Sequence, residues 1–253
     1  MGILNAAIGP FIGAGLAFLS TRVHDARRQQ QENVAAGNLT LSMLNSMLNE
    51  YLLWRLGAYA DMADPERASD SPLWARIRPN LQSFGDYCID LKSLSFLFEN
   101  PERIEALNAV RLAELTYRDM QAVEKFRNDA AQAIYQEVST RNFTSHAEAE
   151  KALGPQRIET MLTAIKSVAK RARDNEKAYT DAISSLRAAL EDTLNKWWAK
   201  QPHFVKSTVV APHFRRENLP QLPRPILEML AEMDRQGAVA RTVPQQSAPP
   251  EGA

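Results

Sequence analysis

The sequence predicts an all-α protein in which an N-terminal transmembrane helix continues into an antiparallel bundle of about four long helices. The stretch Ile3–Leu19 carries no charged side chain. Beyond it, apolar side chains recur every three or four positions, which is the spacing of a helix that buries one face. The chain is therefore divided into an anchor at 1–21, a cytoplasmic helical bundle at 22–201, a proline-rich segment with a short amphipathic helix at 202–236 and a disordered tail at 237–253.

The composition excludes some functional classes. With 253 residues and a hydrophobic fraction of 45%, the chain is able to bury a real core. Lysine plus arginine equals aspartate plus glutamate, at 30 each. Because the net charge is zero, no nucleic acid is expected as a partner. Cys88 is the only cysteine, so no disulfide forms within the chain.

The anchor prediction rests on length and polarity. The seventeen residues of Ile3–Leu19 form a helix of about 26 Å, near the lower limit for crossing a hydrocarbon core. One alternative is a secretory signal peptide, but no basic side chain precedes the stretch and Ala17-Phe18-Leu19 is a poor cleavage site. Another is a buried core helix. A third is N-myristoylation, for which Ala6 stands where serine or threonine is needed.

Basic residues beside the anchor predict its orientation. Arg22, Arg27 and Arg28 follow the apolar stretch, with only Asp25 against them. By the positive-inside bias, the body is expected in the cytoplasm and the N-terminus outside. The anchor is expected to cross its membrane once.

Small residues mark one face of the anchor helix. Gly9, Gly13 and Ala17 are four positions apart, so a second helix can approach closely there. The face therefore predicts a homo-oligomer through the anchor, with the bundle as a second possible contact. The alternative is that these residues are simply common in membrane helices.

The periodicity also predicts individual helices. Cys88 is expected on the buried face of the second helix, between Phe84 and Leu91. In the third helix, Arg127 and Asn128 interrupt the buried face and are expected to form a polar seam that fixes register, or to contact a ligand. The predicted helices are 3–62, Leu73–Phe98, Pro101–Thr140, His146–Leu153 with Ser145 as its cap and Gly154 at its end, Pro155–Lys200, and Pro225–Gln236.

No combination of residues indicates catalysis. None of the four histidines lies in an HExxH motif or beside a cysteine pair, so neither a metal nor any other cofactor is expected. The sequence contains no glycine-rich phosphate loop outside the anchor and no Gly-x-Ser-x-Gly element. The protein is therefore expected to be non-enzymatic.

The segment Ile89–Glu99, with the sequence IDLKSLSFLFE, resembles part of a group of uncharacterised proteobacterial proteins. Those proteins also begin with a short apolar helix, followed by arginines and a helical body. The resemblance implies a bacterial inner-membrane protein with a cytoplasmic body. No activity is known for the group, so it assigns no catalytic residue.

These observations lead to two functional hypotheses. The first is a membrane-tethered, non-enzymatic scaffold or adaptor that presents a bundle surface to a cytoplasmic protein. The second is a membrane-acting effector, such as a toxin or defence protein, whose anchor oligomerises and perturbs the bilayer. The lipid bilayer is a partner in both.

Overall fold

The computed structural model describes most of the chain, and all regular structure in its described residues is helical. It contains seven α-helices and one 3₁₀ helix in that part. The described residues are 2–63, 71–76, 84–98, 100–141, 143–198 and 224–242. The α-helices are α1 (Gly2–Ala63), α2 (Leu73–Arg76), α3 (Pro101–Ser139), α4 (His146–Leu153), α5 (Pro155–Asp174), α6 (Glu176–Trp198) and α7 (Arg224–Thr242).

The all-α class is confirmed, and three of the helices have nearly the predicted bounds. α1 and α3 each end within one residue of the prediction, and α4 begins and ends as predicted. The cap of α4 shows the cause. The Ser145 side chain accepts a hydrogen bond from the backbone N–H of Glu148, while Gly154 ends the helix at a φ of 76°.

The Glu148 carboxylate completes this cap. It accepts hydrogen bonds from the backbone N–H of Thr144 at 3.0 Å and from the Thr144 hydroxyl at 2.8 Å. These two donors hold the pKa of Glu148 below its ordinary value of 4.5. The start of α4 is thus marked by local hydrogen bonds within four residues.

The predicted helix Leu73–Phe98 is wrong. Among the described residues of this stretch, Leu73–Arg76 are α-helical, residues 84–90 form no helix, and Leu91–Leu97 form a 3₁₀ helix. Asp90 explains the local geometry, because its carboxylate accepts from the N–H of Lys92 and its carbonyl accepts from the Ser93 hydroxyl. Such side-chain bonds compete with the α-helical ladder.

Cys88 is therefore not on a buried helical face. It lies in the non-helical segment 84–90, where its side chain is exposed. The apolar spacing of Phe84, Cys88 and Leu91 resembled a helix only in sequence.

The predicted helix Pro155–Lys200 is interrupted once. α5 ends at Asp174 and α6 begins at Glu176, while the N–H of Asn175 donates to the carbonyl of Arg171. The last helix, α7, begins one residue before the predicted start and continues to Thr242, past the predicted end at Gln236. Residues 199–223 and 243–253, with much of the predicted proline-rich segment and tail, lie outside the described residues.

The chain divides into two compact units. The first unit comprises 1–47, 86–114 and 178–212, and the second comprises 48–85, 115–177 and 213–253. In the first unit, Gly37 of α1 lies against the side chain of Leu190 in α6, and Arg103 of α3 pairs with Asp192 of α6 at 2.8 Å.

In the second unit, α1 lies between α3 and α5. The indole N–H of Trp54 donates to Glu124 of α3 at 2.9 Å, and the Tyr51 hydroxyl donates to the carbonyl of Ala172 at 2.8 Å. Both rings are almost fully buried. Tyr51 and Trp54 thus bury their rings, while the hydroxyl and the indole N–H each keep a hydrogen-bond partner.

Helix directions in the second unit are mixed, which corrects the prediction of a purely antiparallel bundle. α1 and α3 run parallel, because Glu50 contacts Tyr117 and Trp54 contacts Glu124. α5 runs antiparallel to α3, as shown by the ion pairs Arg171–Asp119 and Arg157–Glu137. The described residues between α1 and α3 contain no second long helix, and the two long helices point the same way.

Candidate functional site

The first part of α1 whose side chains are described is exposed, and it begins with apolar residues. Every described side chain from Gly13 to Gln29 is exposed. Leu16, Phe18 and Leu19 retain 64%, 59% and 59% of their accessible surface. The guanidinium of Arg22 lies 4.9 Å from the centre of the Phe18 ring, a cation–π contact.

Among the described residues, no helix is long and apolar enough to cross a membrane. The side chains of residues 1–12, which make up much of the predicted anchor and include Gly9, lie outside the described residues.

The other residues of the predicted small-residue face are exposed. A Cβ added to Gly13 would meet nothing within 4 Å, and Ala17 is exposed. Contact with a second copy through this face stays a prediction.

The arginines that were predicted to set topology are also exposed. Arg28 forms an ion pair with Glu32 one turn later, at 3.0 Å, while Arg22 covers the Phe18 ring. Arg27 is exposed as well. The three arginines place positive charge on the helix surface directly after the apolar stretch.

The predicted polar seam contains a buried ion pair. Arg127 is 1% exposed and Glu124 is 2% exposed, and the guanidinium donates to the Glu124 carboxylate. Asn128 is half-buried, with its Oδ1 3.4 Å from a guanidinium nitrogen. The partner Glu124 was missed by sequence reasoning, although its position three residues before Arg127 places both on one face of a helix.

This buried cluster links two helices. Glu124 also accepts the indole N–H of Trp54, so α1 and α3 are joined through one carboxylate. Each charged group has a protein partner, as burial of charge requires. The arrangement fits a structural pairing that fixes the register of α1 on α3.

A second network holds the segment 84–90 against the same helices. The carboxylate of Glu50 accepts from the Tyr117 hydroxyl and, at 2.9 Å, from the backbone N–H of Gly85. The amide of Gln121 donates to the Gly85 carbonyl at 3.1 Å. The Phe84 ring contacts the Tyr117 ring edge to face. These contacts fix the backbone of a non-helical segment, which no periodicity predicts.

The second unit also contains a partly open cavity of about 500 Å³. It lies where α2, the C-terminal end of α3, the connection 143–145, α4 and α5 meet. Its lining residues are mostly apolar or aromatic. They are Trp74, Ala75, Ala131, Ile134, Tyr135, Val138, Phe143, Thr144, Ser145, His146, Ala149 and Met161.

Metal-ligating side chains do not cluster in the described part of the chain. No group of three or more histidine, cysteine, aspartate or glutamate residues there is placed to hold a metal ion. His24 is exposed on α1, and His146 lines the cavity. His203 and His213 lie outside the described residues.

Comparisons of the chain with protein-family models, curated proteins and solved structures give no match. The segment Ile89–Glu99 that carries the resemblance includes the 3₁₀ helix, in which Leu94 and Leu97 are buried. Its hydrophobic spacing therefore serves the core of this fold.

Proposed function

We propose that this protein is a membrane-tethered, non-enzymatic helical scaffold or adaptor whose body presents a surface to a cytoplasmic protein. The supporting observation is the contrast within α1. This single helix of 62 residues, about 93 Å long, is exposed and apolar near its start and enters the core from Gly37 onward. It is built to link a membrane anchor rigidly to a folded body.

The energetics favour an apolar environment for the start of α1. Transferring a leucine or phenylalanine side chain from water to an apolar phase contributes about 1.5–3 kcal/mol. Leu16, Phe18 and Leu19 gain none of this from the body, because all three are exposed. The arginines that follow are suited to the headgroup region on the cytoplasmic side of an inner membrane.

Paired substitutions on one helix test the anchor. Leu16→Lys together with Leu19→Lys is expected to release the full chain from membranes washed with alkaline carbonate, because two charges oppose insertion. Leu39→Lys is the control, since Leu39 is 59% exposed on the same helix but lies beyond the anchor. Release of the unsubstituted chain by carbonate, or equal release of both variants, would refute the anchor.

Reporter fusions after Ala253 test the orientation. A fluorescent protein is expected to be active there and alkaline phosphatase inactive, because the body faces the cytoplasm. The opposite pattern would show that the three arginines do not set the topology.

The exposed face of α3 is the surface that we propose for the cytoplasmic partner. Leu115 and Phe126 are 54% and 43% exposed and stand eleven residues apart, close to three helical turns. Ala122, also exposed, lies between them on the same face. An apolar stripe of this kind is typical of protein interaction sites.

Site-specific photo-crosslinking in cells tests this surface. A photoreactive phenylalanine analogue at Phe126 is expected to give a covalent adduct with a discrete cytoplasmic protein. The control position is Gln132, which is exposed on another face of α3. Adducts at both positions, or at neither, would argue against this face as the docking surface.

The second candidate is a membrane-acting effector, and it is favoured by the four-residue spacing of Gly9, Gly13 and Ala17, which places small residues on one face of the anchor helix. A second anchor helix can pack there. Induced expression of an effector is expected to collapse the membrane potential, whereas a scaffold leaves it intact. Gly13→Leu should then restore the potential, while Gly15→Leu, about 200° around the helix, should not.

A further inference from the structure

The cavity of the second unit has a small-residue, apolar floor. Ile134, Ala149 and Met161 are all buried, from three different helices, and Ala131 lies beside Ile134 on α3. Alanine side chains leave the space that longer side chains would fill. At about 500 Å³, the cavity falls within the size range of small-molecule sites.

Aromatic rings also line the cavity. The imidazole of His146 meets the Trp74 indole edge to face, with the ring centres 6.2 Å apart and an angle of 86° between the planes. Tyr135 and Phe143 supply two further rings to the lining. Ring faces and edges of this kind pack favourably against another ring.

The described residues that line the cavity include no aspartate, glutamate, lysine or arginine. Two carboxylates of α4 bind protein groups: Glu150 accepts the Trp74 indole N–H at 2.8 Å, and Glu148 accepts from the backbone N–H of Thr144. A charged ligand would therefore lose its hydration without gaining a counter-charge. The lining favours an uncharged ligand.

The imidazole of His146 is suited to orienting such a ligand. The His146 imidazole lines the cavity and is exposed, with its Nε2 atom 3.4 Å from the Ser71 hydroxyl. The other nitrogen, Nδ1, offers one donor or acceptor position. A mostly apolar site with a few oriented polar groups is a common arrangement for small-molecule recognition.

We propose that this cavity binds a small, uncharged, ring-bearing molecule with one hydrogen-bonding atom. The volume admits such a molecule, the rings stack on it, and the absence of charge among the described lining residues selects against ions. The proposal does not depend on the membrane anchor, because every residue that carries it belongs to the second unit.

Methyl NMR of the full chain in detergent micelles tests the proposal with indole as the probe. Indole is expected to shift the Met161 methyl resonance, assigned with Met161→Leu, and to show a nuclear Overhauser contact with that methyl group. The Met47 methyl group, buried in the first unit, is the internal reference and should not shift. Absence of both signals at Met161 up to the solubility limit of indole would overturn the proposal.

A matched pair of substitutions on α3 shows whether the cavity itself is the binding site. Ala131→Phe is expected to fill the floor and weaken indole binding at least about tenfold. Ala133→Phe adds the same ring two residues away, at an exposed position, and should leave binding unchanged. Equal titration of the two variants, both folded by circular dichroism, would overturn the assignment. If Ala131→Phe does not fold, the contact between indole and Met161 in the unsubstituted chain decides the question.

Discussion

Two parts of the same helix have opposite surroundings. From Gly13 to Gln29, every described side chain of α1 is exposed, whereas the part from Gly37 to Ala58 supplies much of the core. The backbone is α-helical throughout. The difference therefore lies in the arrangement of apolar side chains around the helix and in what covers them.

The buried part shows one apolar stripe, and the exposed part does not. Gly37, Leu44, Tyr51 and Ala58 repeat every seven residues, so they share the side that faces the neighbouring helices. In the exposed part, the consecutive run from Leu16 to Leu19 is apolar around the whole circumference. A one-sided core cannot cover such a helix, whereas a lipid phase can.

The largest expected effect concerns the ion pair that the buried part of α1 contacts. Arg127→Leu leaves Glu124 buried without its cation and should lower the free energy of unfolding by about 3–5 kcal/mol. Arg28→Leu removes an arginine from an exposed pair on α1 and should change the free energy of unfolding by less than about 0.5 kcal/mol. Urea unfolding of the full chain in micelles, followed by circular dichroism, measures both. Equal effects would show that Arg127 is not buried with Glu124.

A leucine truncation in each part of α1 gives the next largest difference. Leu44 is 0% exposed, so Leu44→Ala should destabilise the protein by about 2–5 kcal/mol through lost burial and a cavity. Leu19→Ala should leave the free energy of unfolding within about 0.5 kcal/mol, because the body does not cover Leu19. A large loss from Leu19→Ala would mean that the first part of α1 packs on the body after all.

Sequence reasoning succeeded where local hydrogen bonds fix the structure. The start of α4 was predicted because Ser145 and Glu148 cap the helix within four residues, and its end because Gly154 adopts a positive φ. α1 and α3 were predicted because their apolar spacing persists over many turns.

The same reasoning failed where contacts distant in sequence decide the backbone. The segment 84–90 has a helical apolar spacing, yet it forms no helix, and Glu50 and Gln121 bind the backbone of Gly85. At the polar seam, Arg127 was predicted, but its link to α1 through Glu124 and Trp54 spans 70 residues. The cavity depends on four separate segments spread from Trp74 to Met161, so no short sequence window contains it.

Glycine-to-alanine substitutions in α1 should produce smaller changes in the free energy of unfolding, and the change should differ between two positions. A Cβ at Gly57 would meet nothing within 4 Å, so Gly57→Ala should raise the free energy of unfolding by about 0.5–1 kcal/mol through helix propensity. A Cβ at Gly37 would lie 2.6 Å from a methyl carbon of Leu190. Gly37→Ala should therefore gain less than Gly57→Ala or destabilise the protein. An equal gain at both sites, measured by urea unfolding, would show that α1 and α6 are not in close contact.

The smallest expected effect is the difference in coupling between an ion pair in the exposed part of α1 and one in the buried part. Arg28–Glu32 is exposed, with 72% and 55% of the side-chain surfaces accessible, so a double-mutant cycle should give a coupling of about 0.3–0.5 kcal/mol that falls as salt is added. Arg55–Glu176 joins α1 to α6 at 2.5 Å, with 16% and 23% accessible. Its coupling should be larger and less sensitive to salt, because the surrounding protein excludes counterions. The cycles use Arg→Gln and Glu→Gln in both pairs, and unfolding in low and high salt gives the four couplings. An equal response of the two pairs to salt would mean that Arg55 is as solvated as Arg28. The contrast between an exposed and a buried part of α1 would then be wrong at Arg55.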